Sequence, residues 1–315
     1  MISRRQLLTG LLTLSAGGAG FGGYALAEPF RLNVTRYSLM PRNWPKDLRL
    51  RIAVIADLHV CPRWMPLDRV ARIVARTNAL APDIVLLPGD FAPSRRMTKF
   101  AGREEPDAWA RLLAKLEAPL GCHAVLGNHD WWDDIQVQMR RHGPTPSGEA
   151  LKRAGIPVYE NEAVRLEKDG QPFWLAGLGD QWAFWPRPQN YEEFRRGGKV
   201  GYEGVDDLPA TLAKVTDDAP ILLMVHEPDI FPEVPDRVAL TVCGHTHGGQ
   251  ISLAGFTPVV PSKFGSRYVY GHIVEGGRDL IVSGGLGVSG MPVRFGVPPE
   301  IVVIDLGVAP RGVTA

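Results

Sequence analysis

Cysteine is nearly absent from this chain, and so is any imbalance of charge. Only Cys61, Cys122 and Cys243 occur among 315 residues. An odd, sparse set is no disulfide framework, so each reads as a small apolar residue near a strand end. The formal net charge is +1 and no basic block stands out. That removes the electrostatic footprint of a protein that grips duplex nucleic acid. No internal repeat and no linker interrupts the chain. With 45% apolar residues, 35 glycines and 27 prolines, the composition is that of a loop-rich globular protein and not a disordered one. The length suffices for one large core or two modest ones.

The first residues differ from the rest. "MISRRQLLTG" carries a twin arginine, Arg4 and Arg5, followed by an apolar, Gly-rich run from Leu7 to Tyr24 and then "ALA", Ala25 to Ala27. This resembles a twin-arginine export signal ending in a small-residue cleavage pattern. The competing reading, a basic tail before an ordinary core helix, calls for a polar face that this run lacks. The expectation is therefore a signal or anchor over 1–27, engaged by the Tat translocase. A catalytic domain over 30–310 would then be periplasmic or held at the inner membrane. Cleavage after Ala27 would remove both arginines and no acid, turning the small positive balance negative.

From Leu48 on, apolar runs alternate with helical patterns. "LRIAVIADLH", "DIVLLPGD", "CHAVLGNHD", "FWLAGLGD", "PILLMVHE", "VALTVCGHTH", "DLIVSGG" and "EIVVIDL" read as strands. "PLDRVARIVARTNAL", "DAWARLLAKLEA" and "SGEALKRAG" read as helices. Fully apolar strands between helices imply a sheet covered on both faces, an α/β fold. The last third has strands without long helices, which implies a second sheet.

Polar residues follow these apolar runs: Asp57, His59, Asp90, Asn128, His129, His226, His245 and His247. In open α/β sheets the crevice beyond the carboxyl ends of the strands is where ligands bind. Imidazole, carboxylate and amide oxygens, with no thiolate among them, suit Mn, Fe, Zn or Mg. If the backbone is extended at "DLH" and "GHTH", period-two alternation puts Asp57 with His59, and His245 with His247, on one side. Gly244, Gly248 and Gly249 let the chain turn close to such a site. Two divalent cations ~4 Å apart are a known device for phosphoryl transfer, activating a water and clamping phosphate oxygens. Asp90, after Gly89, is the candidate bridge between them.

The ordered set "DLH" (57–59), "GD" (89–90), "GNHD" (127–130), His226 after an apolar run, and "GHTH" (244–247) resembles the calcineurin-like metallophosphoesterase superfamily. The flanks "GHTHGGQ" and "GLGVSGMPVRFGVPPEIVVIDL" are similar to its YaeI-like phosphodiesterase branch, which is related to UDP-2,3-diacylglucosamine pyrophosphatases. The resemblance implies two mixed β-sheets packed as a sandwich and flanked by helices. It implies that Asp57, His59 and His247 bind one metal, Asn128, His226 and His245 the other, and that Asp90 bridges them. His129 is then the catalytic acid, or it steadies the phosphate, with Asp130 orienting it. The implied activity is hydrolysis of phosphodiester or pyrophosphate bonds, with a lipid-linked substrate as one candidate. The alternatives are a phosphomonoesterase of the same fold or a metal-binding scaffold without catalysis. One departure weighs against protein dephosphorylation. Pro93 stands in "GDFAPSR" where the protein-phosphatase branch has an aspartate, and the partner of His129 is left open.

Other residues divide between bland and functional roles. His123, His142 and His272 read as surface or core-edge histidines. Trp131 and Trp132 either wall a substrate groove or cap the core. The aromatic stretch 173–199, with Arg187, Arg195, Arg196 and Lys199, reads as a self-packed loop, a lid over an apolar substrate, or a partner surface. Asp180 is a loop residue or a supporting group near the metals. Arg294 could reach a phosphate or form a structural ion pair.

Overall fold

The computed structural model describes residues 22–187 and 201–308. The twin arginine and most of the apolar run lie outside these residues. So do Tyr191, Phe194, Arg195, Arg196 and Lys199 of the aromatic stretch. Among the described residues, no helix is long and apolar enough to cross a membrane.

Two mixed sheets face each other. The first comprises β1 (Asn33–Leu39), β2 (Leu50–Val54), β3 (Ile84–Pro88), β4 (Cys122–Val125) and β11 (Glu300–Leu306), in the order β1-β11-β2-β3-β4. The second comprises β5 (Glu162–Lys168), β6 (Gln171–Gly177), β7 (Ile221–Met224), β8 (Val238–Cys243), β9 (Gly271–Glu275) and β10 (Arg278–Val282), in the order β5-β6-β7-β8-β10-β9. The neighbours β2–β3–β4 and β6–β7–β8–β10 run parallel. The edge pair β5–β6 and the pair β9–β10 are antiparallel.

Alternation along each strand builds the layers. Leu50, Ile52 and Val54 of β2 point between the sheets, with Ile84 and Leu86 of β3. There they meet Phe173, Leu175, Leu222, Leu240 and Ile281 of the second sheet. Ala53, Val85 and Leu87 point the other way, onto α1 (Leu67–Asn78), α3 (Pro106–Leu113) and α6 (Pro146–Arg153). α1 buries Val70, Ile73, Val74 and Thr77, the spacing of one helix face. α6 starts where Thr145 Oγ1 accepts the Gly148 N–H at 3.0 Å. The outer face of the second sheet buries Trp174, Ile221, Leu223, Leu280 and Val282 against Phe231, Val234 and Tyr268.

The second sheet expected from the last third is present, but the last strand does not belong to it. β11 crosses back into the first sheet, parallel to β1 and antiparallel to β2. Its fully apolar face, Val302, Ile304 and Leu306, fills a central position between the sheets.

Candidate metal centre

Five strand ends meet at one end of the sandwich. β2 leads to Asp57 and His59, β3 to Asp90 and β4 to Asn128, on the first sheet. β7 leads to His226 and β8 to His245 and His247, on the second. The site therefore lies on the seam between the sheets. Backbone bonds join neighbouring strand ends within each sheet, Asp57 N–H to Gly89 O (3.1 Å) and His59 N–H to Asp90 O (3.0 Å) on the first and Gly244 N–H to His226 O (3.1 Å) on the second. The His245 N–H crosses the seam to Asp57 Oδ1 (2.9 Å).

The pairing of residues two apart has a different cause from a pleated strand. Asp57, His59, Asp90, His245 and His247 all have positive φ, between 45° and 69°. For non-glycine residues this conformation is costly and marks functional turns. Left-handed residues at alternate positions, not extended backbone, turn these side chains to one centre. Two glycines permit the approach. A Cβ on Gly127 would strike Asp90 Oδ1 and lie 2.6 Å from His226 Cε1. One on Gly244 would strike Asp57 Oδ2.

Side-chain atoms converge in two clusters. Asp57, His59, Asp90 and His247 offer ligand atoms within 4.8 Å of one another, all buried. His59 Nε2 and His247 Nε2 are 2.9 Å apart. In the second cluster Asn128 Oδ1 lies 3.2 Å from His226 Nε2 and 3.0 Å from His245 Nδ1. Those two ring nitrogens are 3.2 Å apart. Asp90 joins the clusters: its Oδ2 is 3.5 Å from His59 Nε2 and 3.4 Å from His226 Nε2. Lone-pair atoms gathered this closely, with Asp57 Oδ2 left without a partner among the described residues, repel unless cations or protons lie between them. The seven residues thus fit a pair of divalent cations.

Second contacts set the ring orientations. His59 Nδ1 meets Ala92 O at 2.8 Å and His226 Nδ1 meets Pro88 O at 2.6 Å. Donation to a carbonyl frees the opposite nitrogen for a metal. His247 is held differently, because its Nδ1 lies 3.1 Å from Arg294 Nη2. A guanidinium only donates, so here Nδ1 accepts and the neutral ring carries its proton on Nε2, a proton that a metal at that nitrogen would have to replace.

Protons stand in for the cations in the metal-free site. Burial pushes the Asp57 carboxyl up to about 7. Burial would raise Asp90 too, but His226, His129 and His59 outweigh it and hold it well below the usual range. Burial would lower His226, but Asp90 holds it well above its usual value. His245 and His247 fall well below theirs through burial, and so does His59 to a lesser degree.

His129 lies beside these groups without belonging to either cluster. Its backbone N–H donates to Asp90 Oδ1 at 2.8 Å. Its Nε2 lies 3.2 Å from Ser289 Oγ. Burial pulls the ring down to about 4, so it is neutral at pH 7. Asp130 does not face the His129 ring as expected. Its carboxylate accepts the N–H groups of Gly127, Asp90, Phe91 and Ala92 at 2.9–3.1 Å, fixing the turn that carries Asp90. Burial pushes it up to about 6, so it is ionised at neutral pH.

A cavity of about 290 Å³ opens over the clusters, lined on one side by Trp132, Trp182 and Tyr202. Trp182 and Trp132 stack on Tyr202, with centroids 4.7 and 5.0 Å apart. Their edges press on His245 (4.7 Å) and His129 (5.1 Å). Trp132, not Trp131, is the groove wall. Trp131 is 1% exposed and packs edge-on against Phe184. Arg294 is also turned from the cavity. It is fully buried and donates to Gly284 O, Gly287 O and Val297 O as well as to His247. Of the aromatic stretch, Phe173 and Trp174 are core residues of β6, while Trp182 reaches the site. His123, His142 and His272 stand elsewhere, on Tyr159, Gly143 O and Asp279.

Sequence reasoning missed Ser289, Tyr202 and Glu227. Glu227 is fully buried next to His226, its Oε1 has no partner among the described residues, and burial pushes it up to about 7. Asp180 is its buried neighbour in charge, raised well above the usual range by burial and then by Glu227. Ser289 is fixed by Gln250, whose side chain makes two bonds to its backbone, 2.7 and 2.8 Å long.

Residues 50–249 match the family model for calcineurin-like phosphoesterases. The chain belongs to that family. Over 97% of its length the phosphoesterase is 30% identical to the phosphodiesterase YaeI of Escherichia coli, covering all of that protein. It is 29% identical to the metallophosphoesterase YkuE of Bacillus subtilis, over 97% of this chain and 98% of the other. It is 28% identical to the UDP-2,3-diacylglucosamine pyrophosphatase LpxG of Chlamydia trachomatis, over 87% and 89%.

Proposed function

We propose that this phosphoesterase hydrolyses phosphodiester or pyrophosphate bonds in its strand-end cavity. Asp57, His59 and His247 would hold one divalent metal, Asn128, His226 and His245 the other, and Asp90 both. The observation that carries the proposal is the position of Asp90 Oδ2, near-equidistant from His59 and His226. Bound there, two cations would supply a clamp for phosphate oxygens and an activated water. The oxygen and imidazole donors suit Mn, Fe, Zn or Mg.

His129 serves the reaction as a neutral imidazole. Its position beside Asp90 and Ser289 suits hydrogen bonding to a phosphate or leaving-group oxygen. The flat faces of Trp132, Trp182 and Tyr202 suit an apolar or planar substituent on phosphorus, such as a lipid-linked or nucleotide group. The similarity to LpxG supports the lipid-linked reading. The twin arginine and the apolar run after it support export by the Tat translocase and a catalytic domain over 30–310 acting in the periplasm or on the inner membrane. Metal-loaded protein should turn over bis-p-nitrophenyl phosphate and lose that activity to a chelator. Absence of turnover on a panel of diesters, monoesters and pyrophosphates would end the proposal.

A further inference from the structure

The cavity mouth is bordered by side chains that water does not favour. The chain leaves the cavity at Gln250 and returns to it at Val259 and Pro261. Between these points it forms a tight turn, with Leu253 and Phe256 exchanging backbone bonds of 2.9 Å. Leu253, Phe256 and Val259 are 55%, 70% and 71% exposed. Met291, next to cavity-lining Gly290, is 49% exposed. Single exposed apolar residues need no explanation, but a group around a polar site does.

Basic groups continue the same border. The Gly290 N–H donates to Ser94 Oγ at 3.4 Å, which ties the Met291 loop to α2 (Arg95–Ala101). The sequence of α2, RRMTKFA, exposes Arg95, Arg96, Lys99 and Phe100. Arg95 lies 4.5 Å over the Trp185 ring, beside Trp132 of the cavity wall. Arg96 and Lys99 have no ion-pair partner among the described residues. The start of the described chain adjoins the apolar turn. Tyr24 packs edge-on against Phe295 at 5.3 Å, and Phe295 bonds through its backbone to Gln250 and Ser252. The described chain thus begins on this border.

We infer that the cavity mouth is a bilayer-docking face, in which Leu253, Phe256, Val259 and Met291 enter the headgroup region of an anionic membrane while Arg96 and Lys99 lie against its phosphates. Apolar residues mixed with cations are the composition of interfacial contact, where burial of rings and attraction to anionic lipid add. Docked this way, the cavity opens toward the membrane surface. This deepens the proposed function by naming a substrate class: amphiphilic phosphodiesters or pyrophosphates that stay anchored by their acyl chains.

Two full-chain double variants test the face, Leu253→Ser with Phe256→Ser and Arg96→Gln with Lys99→Gln. Each is sedimented with vesicles of phosphatidylcholine alone and of equal parts phosphatidylcholine and phosphatidylglycerol. The wild type should bind the anionic vesicles, and each variant should bind them at least about tenfold more weakly. Turnover of soluble bis-p-nitrophenyl phosphate should be unchanged in both, showing that the variants are folded. Variants that bind like the wild type, or a wild type that ignores vesicles, would overturn the inference. So would a self-associated wild type that the Phe256 variant converts to monomer, since a second copy would then cover the face. Weakened vesicle binding in a protein with no diesterase activity would leave the face standing and remove the enzymatic reading.

Discussion

His129 and the seven candidate ligand residues are neighbours with different proposed work, and single substitutions should separate them. His129→Ala removes a hydrogen-bonding ring from the cavity without touching a cluster. Its kcat/KM on the diester should fall by about 10²–10⁴, while metal analysis still finds two ions per chain. Asn128→Ala should instead lose one of the two ions, because only one cluster contains it. Loss of metal from the His129 variant would mean that its ring is a ligand after all. Arg294 had a legible preference for phosphate but not a legible location. A guanidinium surrounded by carbonyls is a tertiary arrangement that no local pattern encodes. Arg294→Met leaves several buried carbonyls and the His247 ring without a donor. It should cost about 3 kcal/mol in denaturant unfolding and weaken metal retention.

The candidate ligand blocks were readable because each sits just past a strand of unbroken apolar residues. Asp57, Asp90, Asn128, His226, His245 and His247 announce themselves by a change from apolar to polar. The turns that aim them were not readable, since positive φ at Asp57 or His247 has no signature of its own. The same holds for Asp130, whose role depends on a turn 40 residues away in the chain. Asp130→Ala should leave four buried amides without an acceptor. It should destabilise the protein by about 2–4 kcal/mol and release metal. A folded, fully metallated Asp130→Ala protein would show that the Asp90 turn holds itself. The strands β1, β5 and β9 escaped notice for a related reason. They lie at sheet edges, and their half-exposed sequences, such as NVTRYSL and EAVRLEK, carry too few apolar residues to stand out. Ser289 and Tyr202 lie in segments without periodicity, and only packing brings them to the cavity.

Across the whole molecule, protons and metals compete for the seam between the sheets. Asp57 holds a proton up to about pH 7 in the metal-free protein through burial, and His226 is held protonated by Asp90. A cation must displace such protons, so metal affinity falls as pH falls. The expected slope below pH 7 is about tenfold per pH unit for each proton displaced. Since bound metal at free concentration M stabilises the folded state by RT ln(1 + M/Kd), a chelator should lower Tm more at pH 8 than at pH 6. An equal effect at both values would contradict the proton-exchange picture. The two-sheet architecture itself was largely legible, through buried strands alternating with helices. The return of β11 to the first sheet was not, because an apolar strand fits either sheet equally well.

The most direct measurement is anomalous diffraction from crystals of the metal-loaded protein. Two peaks about 4 Å apart are expected, one between His59 and His247, the other among Asn128, His226 and His245, with Asp90 reaching both. A single peak, or peaks away from Asp90, would contradict a two-metal centre built from these five strand ends.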